Sequence, residues 1–363
     1  MFLHLQSSIA DAQLADIASA ARGLGLTVAL PPGGDDLVEL VREGVPGPAR
    51  GEIVRTFTGL PGVVEVLDRP GEAPLWAAER REPSVVEVGE AVFGGGRASI
   101  IAGPCAVEAG DELLRIAEAV RARGATLLRG GAFKPRSSPY AFQGLGVRGL
   151  EHLREVREAT GLGVVTEVLD PRDVGAVLEV ADMVQVGARN MANSALLKEL
   201  STVDRPVLLK RGFGATVEEF LGAAEYLLCG GNERVVLCER GVRGFDQVTR
   251  NLLDVGAIAH LRAATHLPVI ADPSHAAGRS DLVRAIGRAG MAAGADGLMV
   301  EVHLDPSAAL SDGQQAVGPE ELGGLVADAY ALCQMDGRTL LIGDRAAPRS
   351  PLPKIPTHLR GTA

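Results

Sequence analysis

Eight short apolar segments recur in the middle of this 363-residue sequence, and they restrict its fold more than any other feature. Intervals of roughly 20 to 40 residues separate them, and these intervals contain helical patterns such as DELLRIAEAVRARG. Eight strand–helix units in order predict an α/β fold of the closed (β/α)8 TIM-barrel type, and they disfavour the alternative, a doubly wound open sheet. The segments begin near residues 99, 126, 164, 183, 206, 235, 268 and 298 and have the sequences SIIAG, TLLRG, VVTEV, MVQVG, PVLLK, VVLCE, PVIAD and LMVE.

The first 68 residues have a different order of elements. Four apolar segments, FLHL, TVAL, VELV and VVEVL, alternate with the helical patterns DAQLADIASAARGLG and ARGEIVRTFTGL. This βαββαβ order predicts a small ferredoxin-like domain over residues 1–68. A segment that contains Pro and Gly predicts a linker over 69–83, and the barrel domain is expected over 84–335, with a hairpin around Gly89. The Pro- and Arg-rich residues 336–363 predict a mobile or extended tail.

The composition argues against several classes of partner. The net charge of -10 and the pI near 5.3 disfavour nucleic acid and anionic membranes as partners, because both require a basic surface. The sequence has no run of about 18 apolar residues, and its start, MFLHLQSSIADAQ, lacks the features of a signal peptide, so we expect a cytoplasmic protein without a membrane span. The four cysteines are too few and too scattered for a disulfide framework.

Polar residues close the eight predicted strands, at the end of the barrel where TIM barrels have their active sites. The loop after the second strand, LLRGGAFKPRSSPYAFQGLG, has three cations within eight residues, and Lys134 and Lys210 are two of only four lysines in the chain. A solvated charged surface is the alternative interpretation, but cations at several strand ends favour a polyanionic ligand. The residues at or just after the strand ends are Cys105, Arg129 with Lys134 and Arg136, Glu167, Arg189, Lys210, Arg240, Asp272 with His275, and Glu301.

Four of the residues near strand ends form a candidate metal-ligand set: Cys105, His275, Glu301 and Asp312. Thiolate, imidazole and carboxylate donors together suit Mn, Fe, Co or Zn better than Mg, which prefers oxygen ligands. Each residue alone is more often structural. The four lie on the first, seventh and eighth strands, which are neighbours only if the barrel closes.

The motifs at these positions resemble the type I beta class of 3-deoxy-D-arabino-heptulosonate-7-phosphate (DAHP) synthase. The resemblance covers residues 84–335, whereas the amino-terminal domain is similar only in its strand order. It implies the condensation of phosphoenolpyruvate with erythrose 4-phosphate, which opens the shikimate route to aromatic amino acids. The motifs are IIAGPCAVE, LRGGAFKPRSSPYAFQGLG, VVTEV, VQVGARN, PVLLKRGF, VVLCERGVRGFD, DPSHAAG and VEVHLDPSAALSDGQQ.

The resemblance also implies roles for individual residues. Arg136 and Ser137 would hold the phosphate of the aldose, and the serine keeps the hydroxyl of the threonine that is usual there. The metal would polarise the aldehyde oxygen, and Lys134 would donate a proton to the new alkoxide, with a pKa that we expect to be lowered by neighbouring cations and desolvation. Lys134, Cys105 and His275 are the implied catalytic residues. The implied metal ligands are Cys105, His275, Glu301 and Asp312. The residues implied to bind phosphoenolpyruvate are Arg129, Lys134, Arg189, Lys210 and Arg240, and Glu167, Ala188 and Asp272 complete the substrate-binding set.

Other functions remain as alternatives at this point. The first is 3-deoxy-octulosonate 8-phosphate synthase, which acts on arabinose 5-phosphate and typically has KANRSS where this chain has KPRSS. A Schiff-base aldolase with Lys210 as nucleophile is the second, and a barrel that only binds metabolites is the third. The amino-terminal domain is expected either to bind an aromatic amino acid effector, tyrosine or phenylalanine, or to serve only packing or oligomerisation. We expect a homo-oligomer, either a dimer or a tetramer.

Overall fold

The amino-terminal residues form a four-stranded antiparallel sheet with two helices. The computed structural model describes residues 1–6, 8–29, 37–42, 48, 50–67, 74–135 and 138–343. The elements follow the predicted βαββαβ order; in the sheet the second strand pairs with the third, the third with the first, and the first with the fourth. Leu3, Ile17 and Phe57 are fully buried where the helices pack on the sheet. The elements are β1 (Phe2–Leu5), α1 (Asp11–Gly23), β2 (Leu26–Ala29), β3 (Leu37–Arg42), α2 (Arg50–Phe57) and β4 (Val63–Leu67).

A hairpin precedes the barrel, as the sequence predicts. Its strands are β5 (Val86–Val88) and β6 (Ala91–Phe93), which pair in antiparallel fashion. Phe93 is fully buried and belongs to the cluster that fills the interior of the barrel. A Cβ on Gly297, the first residue of the last barrel strand, would lie 3.2 Å from the Phe93 ring. The hairpin therefore closes the end of the barrel at which the strands begin.

Eight parallel strands form the closed barrel, and each overlaps one of the eight predicted segments. Every strand pairs with the next in the sequence, and the last pairs with the first over five residue pairs, beginning with Gly297 and Ser99. Closure places the first, seventh and eighth strands side by side. The strands are β7 (Arg97–Gly103), β8 (Leu127–Arg129), β9 (Gly163–Val168), β10 (Met183–Val186), β11 (Val207–Lys210), β12 (Val235–Glu239), β13 (Val269–Ala271) and β14 (Gly297–Glu301).

Helices surround the barrel because each strand has an outward face that must be covered. The main apolar core lies between strands and helices and includes Val164, Phe220 and Leu325. None of the helices in the described residues is long and apolar enough to cross a membrane. The helices are α3 (Gly110–Ala122), α4 (Val147–Thr160), α5 (Val174–Leu178), α6 (Ser194–Ser201), α7 (Val217–Cys229), α8 (Val255–Ala264), α9 (Pro273–Ala277), α10 (Ser280–Ala292) and α11 (Pro319–Met335), with 3-10 turns at Ala78–Arg80, Pro171–Asp173, Ala188–Asn190 and Gly313–Gln315.

The ordered structure extends beyond both predicted ends of the barrel. Leu75 belongs to the barrel core, and the Glu225 carboxylate accepts hydrogen bonds from the Leu75 and Trp76 N–H groups, so part of the predicted linker packs against the barrel. After α11, strand β15 (Thr339–Leu340) pairs with the start of β7, and the buried Arg338 donates to the Ala295 and Met291 carbonyls. Residues 336–343 thus pack against the barrel and include an extended strand, whereas the rest of the predicted mobile or extended tail, residues 344–363, lies outside the described residues.

Candidate active site

The carboxyl ends of β7 and β14 bring three ligand-capable side chains together. The Cys105 sulfur, a Glu301 oxygen and an Asp312 oxygen all lie within 4.8 Å of one another, and we call these three residues the cysteine group. Cys105 Sγ lies 3.4 Å from Asp312 Oδ2 and 3.3 Å from Ser311 Oγ. Asp312 has a φ of 54°, a left-handed conformation that is uncommon for residues other than glycine. The loop thus turns sharply at Asp312, whose carboxylate lies beside Cys105.

His275 reaches the cysteine group from the short helix α9, whose ends are specified by the sequence DPSHAAG. Asp272 caps the helix by accepting the His275 N–H at 2.9 Å, Pro273 occupies the first turn, and Gly278 ends it with a φ of 69°. His275 Nε2 lies 3.3 Å from Glu301 Oε1. The predicted fourth ligand is therefore adjacent to the group, although it does not belong to the set of three.

Asp272 supports other side chains and does not line the cavity. Its Oδ2 lies 2.7 Å from His275 Nδ1 and also pairs with the Lys210 ammonium, and the residue is fully buried. Burial raises the pKa of Asp272, but His275 and Lys210 hold it well below its usual range. The Asp272 carboxylate thus interacts with His275 and Lys210, and this predicted substrate-binding residue lies behind the residues that line the cavity.

The protonation states at His275 leave room for a cation. Burial lowers the pKa of His275 to about 4, so the ring is neutral near pH 7. With Asp272 as a carboxylate, the His275 proton lies on Nδ1, and the lone pair of Nε2 faces Glu301. Glu301 Oε1 is buried and accepts no hydrogen bond from the described residues, although it forms an ion pair with Arg129. Two acceptors that face each other beside a thiol and a further carboxylate fit a divalent metal ion.

A cavity of about 450 Å³ opens above the cysteine group, and cations dominate its walls. The Arg129 guanidinium is buried, and its Nε and Nη1 have no acceptor among the described residues, while Nη2 lies 3.2 Å from Glu301 Oε1. Buried donors without partners are costly, and an anion in the cavity would satisfy them. The Lys and Arg side chains that line the cavity are Arg129, Lys134, Arg189, Lys210, Arg240, Arg243 and Arg250.

Lys134 lies directly against Cys105. Its ammonium donates to the Cys105 carbonyl at 2.9 Å and lies 3.1 Å from the sulfur. Burial lowers the pKa of Lys134, but Cys105 and Glu167 outweigh burial, and the pKa is raised above its ordinary value. The predicted lowering is therefore wrong, because the carboxylates and the sulfur around Lys134 outweigh the cations that the sequence places near it.

The other predicted substrate-binding residues are at the cavity, with two exceptions. Glu167, held by Gln185 at 3.1 Å, lines the cavity, and so do Ala188, Arg189, Lys210 and Arg240. Arg189 is exposed, whereas Lys210 and Arg240 are buried. The two exceptions, Arg136 and Ser137, lie outside the described residues.

Several cavity residues were missed because they follow the strand ends by many positions. Arg243 and Arg250 lie on the segment between β12 and α8, and Arg243 stacks over the Phe213 ring at 4.3 Å. Asn251, from the same segment, donates to the His275 carbonyl at 3.0 Å. The motif VVLCERGVRGFD contained part of the signal, but only the fold shows that this segment returns to the cavity.

A second ligand-capable group lies beside the first. Atoms of Glu108, Glu112 and His303 lie within 4.8 Å of one another, and we call these residues the histidine group. His303 Nε2 is buried, lies 3.6 Å from Glu112 Oε1 and has no hydrogen-bond partner within the described part of the chain. However, the Asp305 N–H donates to His303 Nδ1 at 3.1 Å, so the proton of the neutral ring lies on Nε2. In that tautomer Nε2 is a donor toward the carboxylates and not a metal ligand.

The barrel residues match a known family of enzymes. The family model described as DAHP synthetase I family matches residues 81–337. Phospho-2-dehydro-3-deoxyheptonate aldolase of Thermotoga maritima is 48% identical over 256 residues, which cover 70% of this chain and 76% of that protein. 2-Dehydro-3-deoxyphosphooctonate aldolase of Nitratidesulfovibrio vulgaris is 33% identical over 259 residues, covering 66% of this chain and 93% of that protein.

Two solved structures from Thermotoga maritima are also similar. The crystal structure of phospho-2-dehydro-3-deoxyheptonate aldolase (DAHP synthase) has a TM-score of 0.72 at 38% identity, covering 93% of this chain and 98% of that one. A truncated form of 3-deoxy-D-arabino-heptulosonate 7-phosphate synthase has a TM-score of 0.68 at 43% identity, covering 73% of this chain and 98% of that one. The first similarity therefore includes part of the amino-terminal region as well as the barrel.

Proposed function

The chain belongs to the DAHP synthetase I family, and from this premise we propose that it condenses phosphoenolpyruvate with D-erythrose 4-phosphate. Water is consumed, and the products are 3-deoxy-D-arabino-heptulosonate 7-phosphate and inorganic phosphate, the first step of the shikimate pathway. The observation that carries the proposal is the position of unpartnered Arg129 donors directly above the cysteine group. One cavity thus offers both an anion site and a site for a Lewis acid.

Phosphoenolpyruvate would bind where the buried cations converge. Arg129 has two nitrogen donors, Nε and Nη1, that have no acceptor among the described residues and can bind a carboxylate or phosphate oxygen, and Arg240 and Lys210 lie in the same cavity. Lys134 and Arg189 complete the predicted set. Because most of these side chains are buried, their charges act on the enol in a medium of low dielectric constant, where they bind anions more strongly than surface cations do.

Cys105, His275, Glu301 and Asp312 would hold the metal ion. A bound Mn, Fe, Co or Zn ion would supply Lewis-acid polarisation of the aldehyde. Neighbouring residues hold two of these ligands in place. Asp272 fixes the His275 tautomer, and Gln315 donates to Glu301 Oε2 at 2.6 Å. These contacts fix both the imidazole and the carboxylate before a metal ion or substrate binds.

Lys134 would donate a proton to the oxygen of the aldehyde as C3 of the enol attacks the aldehyde carbon. Its raised pKa keeps it an ammonium at neutral pH, and its position against Cys105 places it beside the metal ligands. Water then adds at C2, and the phosphate leaves. Arg136 and Ser137 would hold the phosphate of the aldose, as the resemblance implies.

The alternative synthase is less well supported. The octulosonate aldolase of Nitratidesulfovibrio vulgaris is 33% identical, whereas the heptonate aldolase of Thermotoga maritima is 48% identical, and the loop KPRSS differs from KANRSS. A Schiff-base mechanism through Lys210 is disfavoured because its ammonium is buried and paired with Asp272. A phosphate-release assay tests the choice: kcat/KM for erythrose 4-phosphate should exceed that for arabinose 5-phosphate at least roughly tenfold. The reverse preference would make the chain an octulosonate synthase.

We also propose that residues 1–68 form a ferredoxin-like regulatory domain and that the chain is a cytoplasmic homo-oligomer, either a dimer or a tetramer. The strand order and the separate apolar core around Phe57 support a domain that folds independently of the barrel. Deletion of residues 1–68 should leave a folded and active barrel. If tyrosine or phenylalanine inhibits the full chain, the truncated chain should be insensitive; inhibition that persists would place the effector site in the barrel.

A further inference from the structure

Arg250 lies between the metal ligands and the anion cavity. Its Nη1 donates to Gln315 Oε1 at 3.0 Å and lies 3.6 Å from Asp312 Oδ1, beyond hydrogen-bonding distance. The side chain is 37% exposed and lines the cavity. The guanidinium therefore faces a carboxylate of the cysteine group on one side and open space for a substrate on the other.

The segment that carries Arg250 also supports the neighbouring ligands. Gln315, which accepts from Arg250, donates to Glu301, and Asn251 donates to the carbonyl of His275. The Arg250 backbone is fixed in turn, since its N–H donates to the Ala277 carbonyl at 3.0 Å. The base of the Arg250 side chain is thus anchored, while the loose pair with Asp312 leaves its charged end able to change partner.

We propose that Arg250 is shared between Asp312 and anions in the cavity, and that occupation of Asp312 by a divalent cation releases the guanidinium to bind an anionic substrate. The proposal rests on the proposed function, which places the metal at Asp312. A cation on this carboxylate removes the charge that attracts Arg250, so the guanidinium gains affinity for a phosphate or carboxylate group. Because such coupling is reciprocal, the anion should also tighten binding of the cation.

Phosphate binding to metal-free protein tests the shared arginine directly. Titration calorimetry of the chelator-treated full chain with inorganic phosphate should show about tenfold tighter binding in Asp312→Asn than in the unsubstituted chain, because Arg250 has lost its carboxylate partner. In an Arg250→Met background, the same Asp312→Asn substitution should change phosphate affinity by less than about twofold. An undiminished gain in that background would mean only that a repulsive charge was removed, and it would overturn the proposal.

Arg243 provides the matched control, because it lines the same cavity on the same segment but stacks on Phe213. Arg243→Met should weaken phosphate binding, but in this background Asp312→Asn should still tighten phosphate binding about tenfold. Loss of the gain in this background as well would show a general effect of cavity charge and would also overturn the proposal. If Arg250→Met does not fold, Arg250→Gln serves the same purpose, since it is neutral and retains an N–H donor for Gln315.

A second titration adds Mn²⁺ to the unsubstituted chain. Saturating Mn²⁺ should tighten phosphate binding about tenfold, and Arg250→Gln should reduce this factor to less than about threefold. An equal factor in both proteins would overturn the role of Arg250 but would not contradict the proposed synthase function. By contrast, an unsubstituted chain that releases no phosphate from phosphoenolpyruvate and erythrose 4-phosphate would refute the proposed function, whatever the titrations show.

Discussion

The cysteine group and the histidine group are alike in composition but differ in their surroundings. Each combines two carboxylates with one sulfur or nitrogen donor within 4.8 Å, and both lie near the carboxyl ends of β7 and β14. The cysteine group borders a cavity of about 450 Å³, and seven Lys and Arg side chains from the described residues lie in its walls. The small pocket that all three residues of the histidine group line leaves no room for a water molecule, and of the three only Glu108 also borders a second cavity, of about 420 Å³, among the described residues.

Hydrogen bonds to the imidazole at each group, His275 beside the cysteine group and His303 in the histidine group, indicate which group can bind a metal ion. In His275 the Nδ1–H group donates to the carboxylate of Asp272, so the lone pair of Nε2 is directed at Glu301. In His303 a backbone N–H occupies Nδ1, so Nε2 carries the proton. Proximity of ligand-capable atoms is therefore insufficient to identify a metal site. The partner of the second ring nitrogen determines whether a buried histidine binds a metal or donates a hydrogen bond.

Metal removal should give the largest effect and tests whether either group binds a metal ion that the reaction needs. Lewis-acid assistance is worth several kcal/mol, so chelation should lower the rate of condensation by about a thousandfold, and Mn, Fe, Co or Zn should restore it. A phosphate-release assay with and without a chelator measures this. Full activity in excess chelator would refute the metal assignment.

The matched pair Glu301→Gln and Glu112→Gln shows which group binds the ion. Glu301→Gln should abolish metal binding in equilibrium dialysis, whereas Glu112→Gln should keep one ion per chain. Loss of an ion in Glu112→Gln would contradict the tautomer argument for the histidine group.

The pH dependence of metal affinity should give the next largest effect. Burial and Glu301 raise the pKa of Cys105 to about 11, so the thiol is protonated at neutral pH and must lose a proton to bind a metal ion. Below that pKa, affinity should fall about tenfold for each unit by which the pH is lowered. His275, with a pKa of about 4, adds nothing above pH 5.

Calorimetry in buffers of different ionisation enthalpy measures the released proton directly. The unsubstituted chain should release one proton per ion at pH 7, and Cys105→Ser should release none, because an alcohol binds without ionising. Cys105→Ser should also weaken Zn more than Mn, since thiolates favour softer metals. Equal proton release in both proteins would exclude Cys105 as a thiolate ligand.

The barrel and most of the site could be predicted because both follow from local patterns. Each apolar segment marks a strand, and the residue that ends a strand must lie at one end of a closed barrel, which places Cys105, Lys210 and Glu301 together. By contrast, Arg250 lies eleven residues after the last residue of β12, and no periodicity indicates where that long connection folds.

The raised pKa of Lys134 could not be predicted from its neighbours in sequence. The nearby cations in the chain suggested a lowered value, but Cys105, Glu167 and Glu301, which come from other strands, have the opposite effect. Charge balance at a buried site depends on the assembled fold. The same is true of the tautomer of His303, which is set by a backbone group.

The smallest expected effect comes from the contact between the two groups. Glu108, from the histidine group, accepts the Leu310 N–H at 2.8 Å, two residues before Asp312. Glu108→Ala removes this hydrogen bond from the loop, which is worth about 1 kcal/mol, so metal affinity should fall about fivefold through a less well-positioned Asp312. Glu108→Gln keeps an acceptor oxygen and should change affinity by less than about twofold. Competition with a fluorescent chelator measures both affinities. Equal losses of metal affinity in the two variants would show that Glu108 acts through its charge and not through its hydrogen bond to the Asp312 loop.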